Sequence, residues 1–176
     1  MPITPDQLFA RLCALDIAHR TYRHPPVFTV AEAAAQRGQL PGGHCKSLFL
    51  KDHRGGLWLV VSLEEQAIDL KRLAAALGAP RFSFASAALL HQVLGVAPGS
   101  VTPFAVANDT ACRVTIVLDR AMLECDPLNY HPLENDKTTA IAPRDLLRFI
   151  KACGHRPRVI DVGAPAPAAA PTLETR

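Results

Sequence analysis

The stretch His44-Cys45-Lys46-Ser47-Leu48-Phe49-Leu50-Lys51 constrains the fold most, because it has the pattern of a strand that is apolar on both faces. Side chains alternate along a strand, so one face carries Lys46 with two leucines, and the other carries Cys45 and Ser47 with a phenylalanine. Such a strand is usually interior to a sheet. The ammonium of Lys46 must then either reach water at the strand end or line a cavity that receives an anionic ligand.

A second apolar run predicts the partner of this strand. Residues 52–56, Asp-His-Arg-Gly-Gly, form a turn signal, and the run Leu57-Trp58-Leu59-Val60-Val61-Ser62 follows it. Two strand-like runs joined by a short turn rich in glycine indicate a β-hairpin.

Capping residues and hydrophobic periodicity predict the other elements. Thr4-Pro5-Asp6-Gln7 is a capping box with proline at the first helical position, so a helix should run to about Leu15. Thr29 and Glu32 form a second capping box, which predicts an alanine-rich helix ending near Gly38. The remaining predicted elements are a helix at 69–77, a strand at 81–84, a helix at 86–95, strands at 112–118 and 138–141, a helix at 143–154 and a strand at 158–162.

Three irregular segments interrupt this pattern. The prolines of His24-Pro25-Pro26-Val27-Phe28 force an extended segment, which is either a rigid linker or a means of holding Val27 and Phe28 against a pocket wall. The run from 126 to 137 is polar and prone to turns, and loops of this composition often carry sites. The stretch from 95 to 104 contains two glycines and two prolines. It is either a plain helix stop with a turn or a rigid loop whose N–H groups around Gly99 stabilise an oxyanion.

Composition bounds the class of protein. The chain has 176 residues, of which 49% are hydrophobic and 20% charged, as expected for one globular domain with a sizeable core. We place that domain at residues 1–162, because the alanine and proline of residues 163–176 predict a disordered tail. A net charge of +3 permits an anionic partner without demanding a nucleic-acid groove.

Cysteine usage and the lack of a targeting signal indicate the compartment. The five cysteines form no CxxC pair and no metal-ligand spacing with the histidines, which favours a reducing cytoplasm. No signal peptide precedes Asp6, and no uncharged stretch is long enough for a bilayer, so we expect a cytoplasmic protein with no membrane contact.

Several segments, in order and spacing, resemble the YbaK family of aminoacyl-tRNA deacylases, and most closely its freestanding alanyl-tRNA(Pro) editing branch. They are residues 24–33, Cys45-Lys46-Ser47-Leu48-Phe49-Leu50, residues 95–104 and Asn129-Tyr130-His131-Pro132-Leu133, and the likeness extends from about Ile3 to Val162. The resemblance implies an α/β (mixed α+β) domain with a curved mixed sheet flanked by helices. It also implies hydrolysis of alanine from mischarged proline tRNA without a metal or other cofactor. The implied partners are the tRNA acceptor end and, as a further candidate, prolyl-tRNA synthetase.

The resemblance also assigns the site residues. The family's functional lysine falls on Lys46, its Gly-x-x-x-Pro loop on Gly99 to Pro103, and its histidine on His131. The residues it implies for substrate binding are Val27, Phe28, Ser47, Ser100, Val101, Thr102, Pro103 and Asn129. Ser47 departs from the asparagine expected in this branch, which bears on the choice of amino acid rather than on the reaction class.

Alternatives remain open at this point. The protein could be a sister deacylase for cysteinyl-, seryl- or another small aminoacyl-tRNA, or a domain that binds tRNA ends or a synthetase without hydrolysis. Cys45 is either a thiolate nucleophile or, as is more usual on an apolar face, an inert buried thiol. His131 is either a general base or a residue that positions the substrate.

Overall fold

The computed structural model describes residues 1–26 and 40–163, which form a mixed eight-stranded sheet with helices packed on it. In chain order the elements are α1 (Pro5–Ala14), β1 (His19–Arg23), β2 (Gly43–Asp52), β3 (Leu57–Leu63), α2 (Leu70–Leu77), β4 (Phe82–Phe84), α3 (Ala87–Leu94), a 3-10 helix (Pro103–Asn108), β5 (Val114–Asp119), a second 3-10 helix (Ala121–Glu124), β6 (Leu128–Tyr130), β7 (Lys137–Ile141), α4 (Pro143–Ala152) and β8 (Arg158–Ile160). The predicted mixed α/β fold class is confirmed.

β2 is the strand on which the sheet is organised. The strand order is β1-β7-β6-β2-β3-β5-β8, and β4 also pairs with β2. β2 pairs antiparallel with β3 along one edge. Its other edge pairs parallel with β6 at Gly43 and His44, and antiparallel with β4 at residues 50–52. Two different strands therefore share the second edge of β2.

The predicted hairpin of β2 and β3 is confirmed, and its turn is held by one carboxylate. Asp52 Oδ1 accepts the N–H groups of Arg54 and Gly56 at 2.8 and 2.9 Å. Its Oδ2 accepts the indole N–H of Trp58 at 3.0 Å. The turn thus connects the ends of both strands through a single side chain.

The helix signals that fall within the described residues are confirmed as well. The Thr4 hydroxyl accepts the N–H of Gln7, and the Gln7 side chain accepts the N–H of Thr4, so both halves of the capping box of α1 are present. Asp69 caps α2 and Ser86 caps α3, and a glycine in the left-handed conformation follows each of these two helices.

The two faces of β2 contact two separate apolar clusters. Phe49 belongs to the larger cluster, which α1, α3 and α4 cover and in which the rings of Phe104 and Phe149 meet edge to face. Leu50 belongs to the smaller cluster, under α2. Neighbouring residues on one strand therefore enter opposite cores, as the alternating pattern predicted.

Two strands were not predicted from the sequence. β1, with the sequence His-Arg-Thr-Tyr-Arg, has no apolar alternation because it lies at the sheet edge and pairs with β7. β6 lies inside the run 126–137 that we predicted as a loop, and its three residues are all buried between β2 and β7. That prediction was wrong for residues 128–130, because sheet pairing overrides the polar composition of the run.

Two strand boundaries also differ from the prediction. Cys112 has φ of 49°, which a strand does not tolerate, so β5 begins at Val114 and not at Cys112. β8 ends at Ile160, because the N–H of Val162 donates to the Asp119 carboxylate at 3.1 Å and leaves the ladder.

Some predictions concern residues outside the described part of the chain. They are the extended segment beyond Pro26, the helix opened by Thr29, and the tail from residue 164 onward. Within residues 1–26 and 40–163, no helix is long and apolar enough to span a bilayer.

Candidate functional site

The middle of β2 lies between two strands that pair with its ends. β6 pairs with it as far as His44, and β4 begins its pairing at Leu50. The N–H of Ala85 donates to the carbonyl of Phe49 at 3.1 Å, which closes the β4 side. The edge of β2 around Lys46 and Ser47 therefore faces a slot between β4 and β6, which we call the β2 slot.

Lys46 is half-buried, and its ammonium is held by the protein itself. It lies opposite Ser62 in the hairpin, and its Nζ donates to the carbonyl of Gln66, just after β3. Burial lowers the pKa of the Lys46 ammonium, because removal from water disfavours the charged form. Lys46 is thus a half-buried cation that binds to a main-chain oxygen.

Ser47 and Cys45 leave β2 on the face opposite to Lys46. Cys45 packs against the larger cluster and its thiol approaches the carbonyl of Gly43 at 3.7 Å. The thiol also contacts the hydroxyl of Tyr130, whose pKa is raised, first by burial and then by Cys45. Cys45 is therefore engaged in packing between β2 and β6.

The glycine and proline loop is anchored at one end and open at the other. Gly99 is exposed and has φ of +87°, a conformation that favours glycine. Ser100 is buried and donates its N–H to the carbonyl of Ala97 at 3.0 Å. Thr102 caps the 3-10 helix through its hydroxyl, and Pro103 is that helix's first residue. Buried Ser100, Thr102 and Pro103 hold the loop in place, so that Gly99 projects from it.

His131 follows β6, and its hydrogen bond defines its tautomer. Its Nδ1 lies 2.9 Å from the carbonyl of Lys137. A carbonyl only accepts, so Nδ1 carries the proton and Nε2 carries the lone pair when the ring is neutral. The ring of His24 lies 6.1 Å away, and its Nε2 contacts the Thr138 hydroxyl at 2.9 Å.

Asn129 lies inside the sheet and binds main-chain atoms. It is 3% exposed, and its side-chain amide donates to the carbonyls of Pro41 and Gly43 at 2.9 and 3.2 Å. It therefore joins β6 to the chain that enters β2.

The loop that contains Gly99 approaches the loop that contains His131. A Cβ built on Gly99 would lie 3.8 Å from Nδ2 of Asn135, which is in the same loop as His131. The parallel pairing of β2 with β6 ends at His44 and Asn129, two residues before Lys46 on β2 and two before His131 in the other segment. Lys46 itself contacts Gln66, and Val27 and Phe28 lie outside the described residues.

Sequence reasoning assigned no role to Gln66 and His24. Gln66 binds Lys46 through its main-chain carbonyl. Every residue has this group, so the residue type gives no indication of the contact. His24 is the first of the residues that carry the family resemblance, and that position was the available sequence signal. The structure adds that its ring lies near the ring of His131.

Comparison with known sequences gives a consistent result. The aminoacyl-tRNA editing domain matches residues 24–149. The prolyl-tRNA synthetase associated domain-containing protein 1 of Bos taurus is 39% identical over 156 residues, which is 86% of this chain and 91% of the bovine protein. The prolyl-tRNA editing protein ProX of Acetoanaerobium sticklandii is 33% identical, with 88% of this chain and 95% of that protein covered.

Solved structures share the fold. The hypothetical protein APE2540 superposes with a TM-score of 0.71 at 23% identity, covering 90% of this chain and 99% of that one. A candidate trans-editing enzyme for prolyl tRNA synthetase superposes with a TM-score of 0.67 at 20% identity, covering 90% and 95%.

Proposed function

This chain belongs to the aminoacyl-tRNA editing domain family, and we propose from that premise that it is a trans-editing hydrolase that removes alanine from mischarged proline tRNA. The observation that carries the proposal is the family match over residues 24–149, a span that contains Lys46, Gly99 and His131. The names of the bovine and bacterial relatives, which refer to prolyl-tRNA synthetase and to prolyl-tRNA editing, favour proline tRNA as the nucleic acid.

The need for such an activity follows from the limits of size selection. A pocket built for proline also admits alanine, because the smaller side chain loses only about 1–3 kcal/mol of contact. A second site that accepts alanine and excludes the proline ring corrects the error. Val27, Phe28 and Ser47 are the residues to which we assign this second selection.

We assign Lys46 an electrostatic and positioning role at the acceptor end. Burial lowers its pKa, but an anionic phosphate beside it favours the charged form, so the ammonium persists in the complex. The hydrogen bond to the carbonyl of Gln66 orients Nζ. Lys46 is then neither the nucleophile nor the general base.

The loop from Gly99 to Pro103 is the proposed source of oxyanion donors. The N–H of Ser100 already donates to Ala97, so the donors are the N–H groups on either side of it, at Gly99 and Val101. Thr102 and Pro103 fix the loop, which keeps these donors oriented without reorganisation during the reaction.

His131 and Asn129 complete the proposed site. We assign His131 the role of a general base or of a residue that positions the substrate, and the bond of its Nδ1 to the Lys137 carbonyl fixes the orientation of the ring. Asn129 supports the substrate indirectly, because its amide ties β6 to the chain that enters β2.

The test is single-turnover deacylation of a panel of proline tRNAs charged with alanine, cysteine, serine or proline. We expect rapid loss of alanine and no loss of proline. Faster loss of cysteine or serine would assign the protein to a sister specificity. Binding of the tRNA with no loss of any amino acid would make it a binding domain, and the proposal would be wrong.

A further inference from the structure

Phe84, the last residue of β4, stands out by its position as well as by its exposure. Its side chain is 64% exposed, whereas Phe82, two residues earlier, is 5% exposed. Among the described residues, the other large apolar side chain that is exposed is that of the terminal Met1. A single exposed apolar side chain is ordinary, so its place in the fold decides what it means.

Phe84 shares a sheet face with Lys46. It pairs with Leu50 on β2, and Leu50 pairs with Trp58 on β3, so the three side chains form a row on one face. Lys46 lies on that same face of β2, four residues from Leu50, or about 13 Å at the usual strand rise. Phe84 therefore marks the β4 border of the β2 slot.

The backbone at Phe84 is held in place while its ring stays open. Phe82 packs with Leu73 and Leu77 of α2 in the smaller cluster, and its ring meets Trp58 edge to face at 5.3 Å. Directly after Phe84, the hydrogen bond from Ala85 to Phe49 ties the chain to β2. Because the backbone is already ordered, only the side-chain rotamer of Phe84 has to be fixed when a flat ligand stacks on the ring, which limits the entropy lost on binding.

We propose that Phe84 is a stacking platform for an unpaired nucleobase of the tRNA acceptor end, and this rests on the proposed function. Proteins bind single-stranded RNA by stacking bases on aromatic rings, and each such contact contributes about 1–3 kcal/mol with little dependence on sequence. A strand whose ester reaches Lys46 passes the β4 border of the slot a few nucleotides away. Phe84 contacts the nucleic acid there through a base and not through a phosphate.

The test uses an RNA hairpin that reproduces the proline tRNA acceptor stem and carries 2-aminopurine in its unpaired 3′ end. Wild-type protein should quench the 2-aminopurine fluorescence on binding. Phe84→Ala should lose the quenching and bind about 5- to 150-fold more weakly, and Phe84→Tyr should retain both. Because no phosphate contact is removed, the dependence of affinity on salt should have the same slope in wild type and Phe84→Ala.

The matched control is Ser83→Ala, since Ser83 is exposed on the opposite face of β4 and should leave affinity and quenching unchanged. Unchanged affinity and quenching in Phe84→Ala would overturn the proposal. So would a shallower salt slope, or a loss confined to binding of prolyl-tRNA synthetase, which would make Phe84 a protein contact. A wild-type protein that quenches the probe but hydrolyses no ester would refute the proposed function and support the stacking site.

Discussion

At the residue scale, Lys46 shows how a strand can carry a cation between two apolar cores. Its side chain shares a face with buried Leu50, yet Nζ reaches the carbonyl of Gln66. That oxygen satisfies one donor and leaves the others for a ligand. Partial burial removes the ammonium from water, which disfavours its charged form and lowers the pKa of Lys46.

Two substitutions of Lys46 should separate the effect of its charge on deacylation from the effect of its side-chain shape. Lys46→Ala should reduce single-turnover deacylation by about 100-fold or more, as removal of a preorganised electrostatic contact does. Lys46→Arg should keep part of the tRNA affinity and lose rate, because the wider guanidinium does not reproduce a compact ammonium in a tight site. Trapping of a covalent adduct at Lys46 by borohydride would contradict the assignment.

Gly99 is expected to matter through its backbone conformation. A Cβ at this position would make an ordinary van der Waals contact with Asn135, so a valine side chain causes no steric clash there. The valine backbone must nevertheless adopt φ of +87°, or the loop must move. We expect about 1–2 kcal/mol of lost stability and a larger relative loss of deacylation rate. Denaturant unfolding and single-turnover kinetics measure the two effects.

The control for Gly99→Val is Gly55→Val in the hairpin turn. Gly55 has φ of +85° and no atom within 4 Å of a built Cβ, so the strain is matched at a position away from the β2 slot. Gly55→Val should lose similar stability and keep the full rate. If Gly99→Val kept its rate as well, the oxyanion role of the loop would be refuted.

At the scale of elements, β2 and its turn to β3 hold the site together. β2 contributes Lys46 and Ser47 and pairs with three other strands, and a one-residue change in its register would move each of these side chains to the other face of the sheet. The Asp52 carboxylate is the side chain that secures the turn of this hairpin.

Asp52→Ala should therefore lower stability in a manner that depends on pH. The indole N–H of Trp58, followed by the backbone N–H groups of Gly56 and Arg54, lowers the pKa of Asp52 below its ordinary value of 3.8. A carboxylate whose pKa is lowered by folding stabilises the folded state fully when the pH is above the pKa of the unfolded state. This stabilisation is lost as the pH falls through the pKa of the folded state. At neutral pH we expect the variant to lose about 2–3 kcal/mol.

Urea unfolding of wild type and Asp52→Ala across the acidic range checks this expectation. The difference in unfolding free energy should narrow as pH falls below 3.8. Glu65→Ala, which also removes a negative charge but at an exposed carboxylate, is the matched control. A difference for Asp52→Ala that stayed constant to the lowest pH would mean that its charge is not what holds the turn.

At the scale of the whole molecule, the end of the described chain lies beside the segment that holds Lys46. Val162 is 6% exposed and belongs to the smaller cluster. A Cβ on Gly163 would collide with the side-chain amide of Gln66, so the chain passes against the residue whose carbonyl binds Lys46. The position of a C-terminal truncation therefore matters.

Deleting residues 164–176 should change neither the melting temperature nor the single-turnover rate, because their composition offers little apolar surface to bury. A truncation that also removes Val162 and Gly163 should lose about 2–3 kcal/mol, since it removes a buried side chain and the N–H that binds Asp119. Loss of stability or rate on removing residues 164–176 alone would show that the tail docks on the domain.

The sequence determined the elements whose signals are local. The capping box of α1, the stop signals after α2 and α3, and the two-faced pattern of β2 each depend on residues within a few positions of one another. The motif around Lys46, the loop at Gly99 and His131 indicated the family for the same reason, because their order and spacing are readable along the chain.

Only the tertiary structure decided what depends on residues distant in sequence. β6 is a strand because β2 and β7 pair with it, although its run reads as a loop. The carbonyl of Gln66 reaches Lys46, and His24 reaches His131, across chain separations that no local pattern encodes. Phe82 and Phe84 are the same residue type on the same short strand, so the sequence does not distinguish them. Phe82 is buried because it packs under α2, whereas Phe84 is exposed. Non-local pairing and burial therefore set the geometry of the β2 slot.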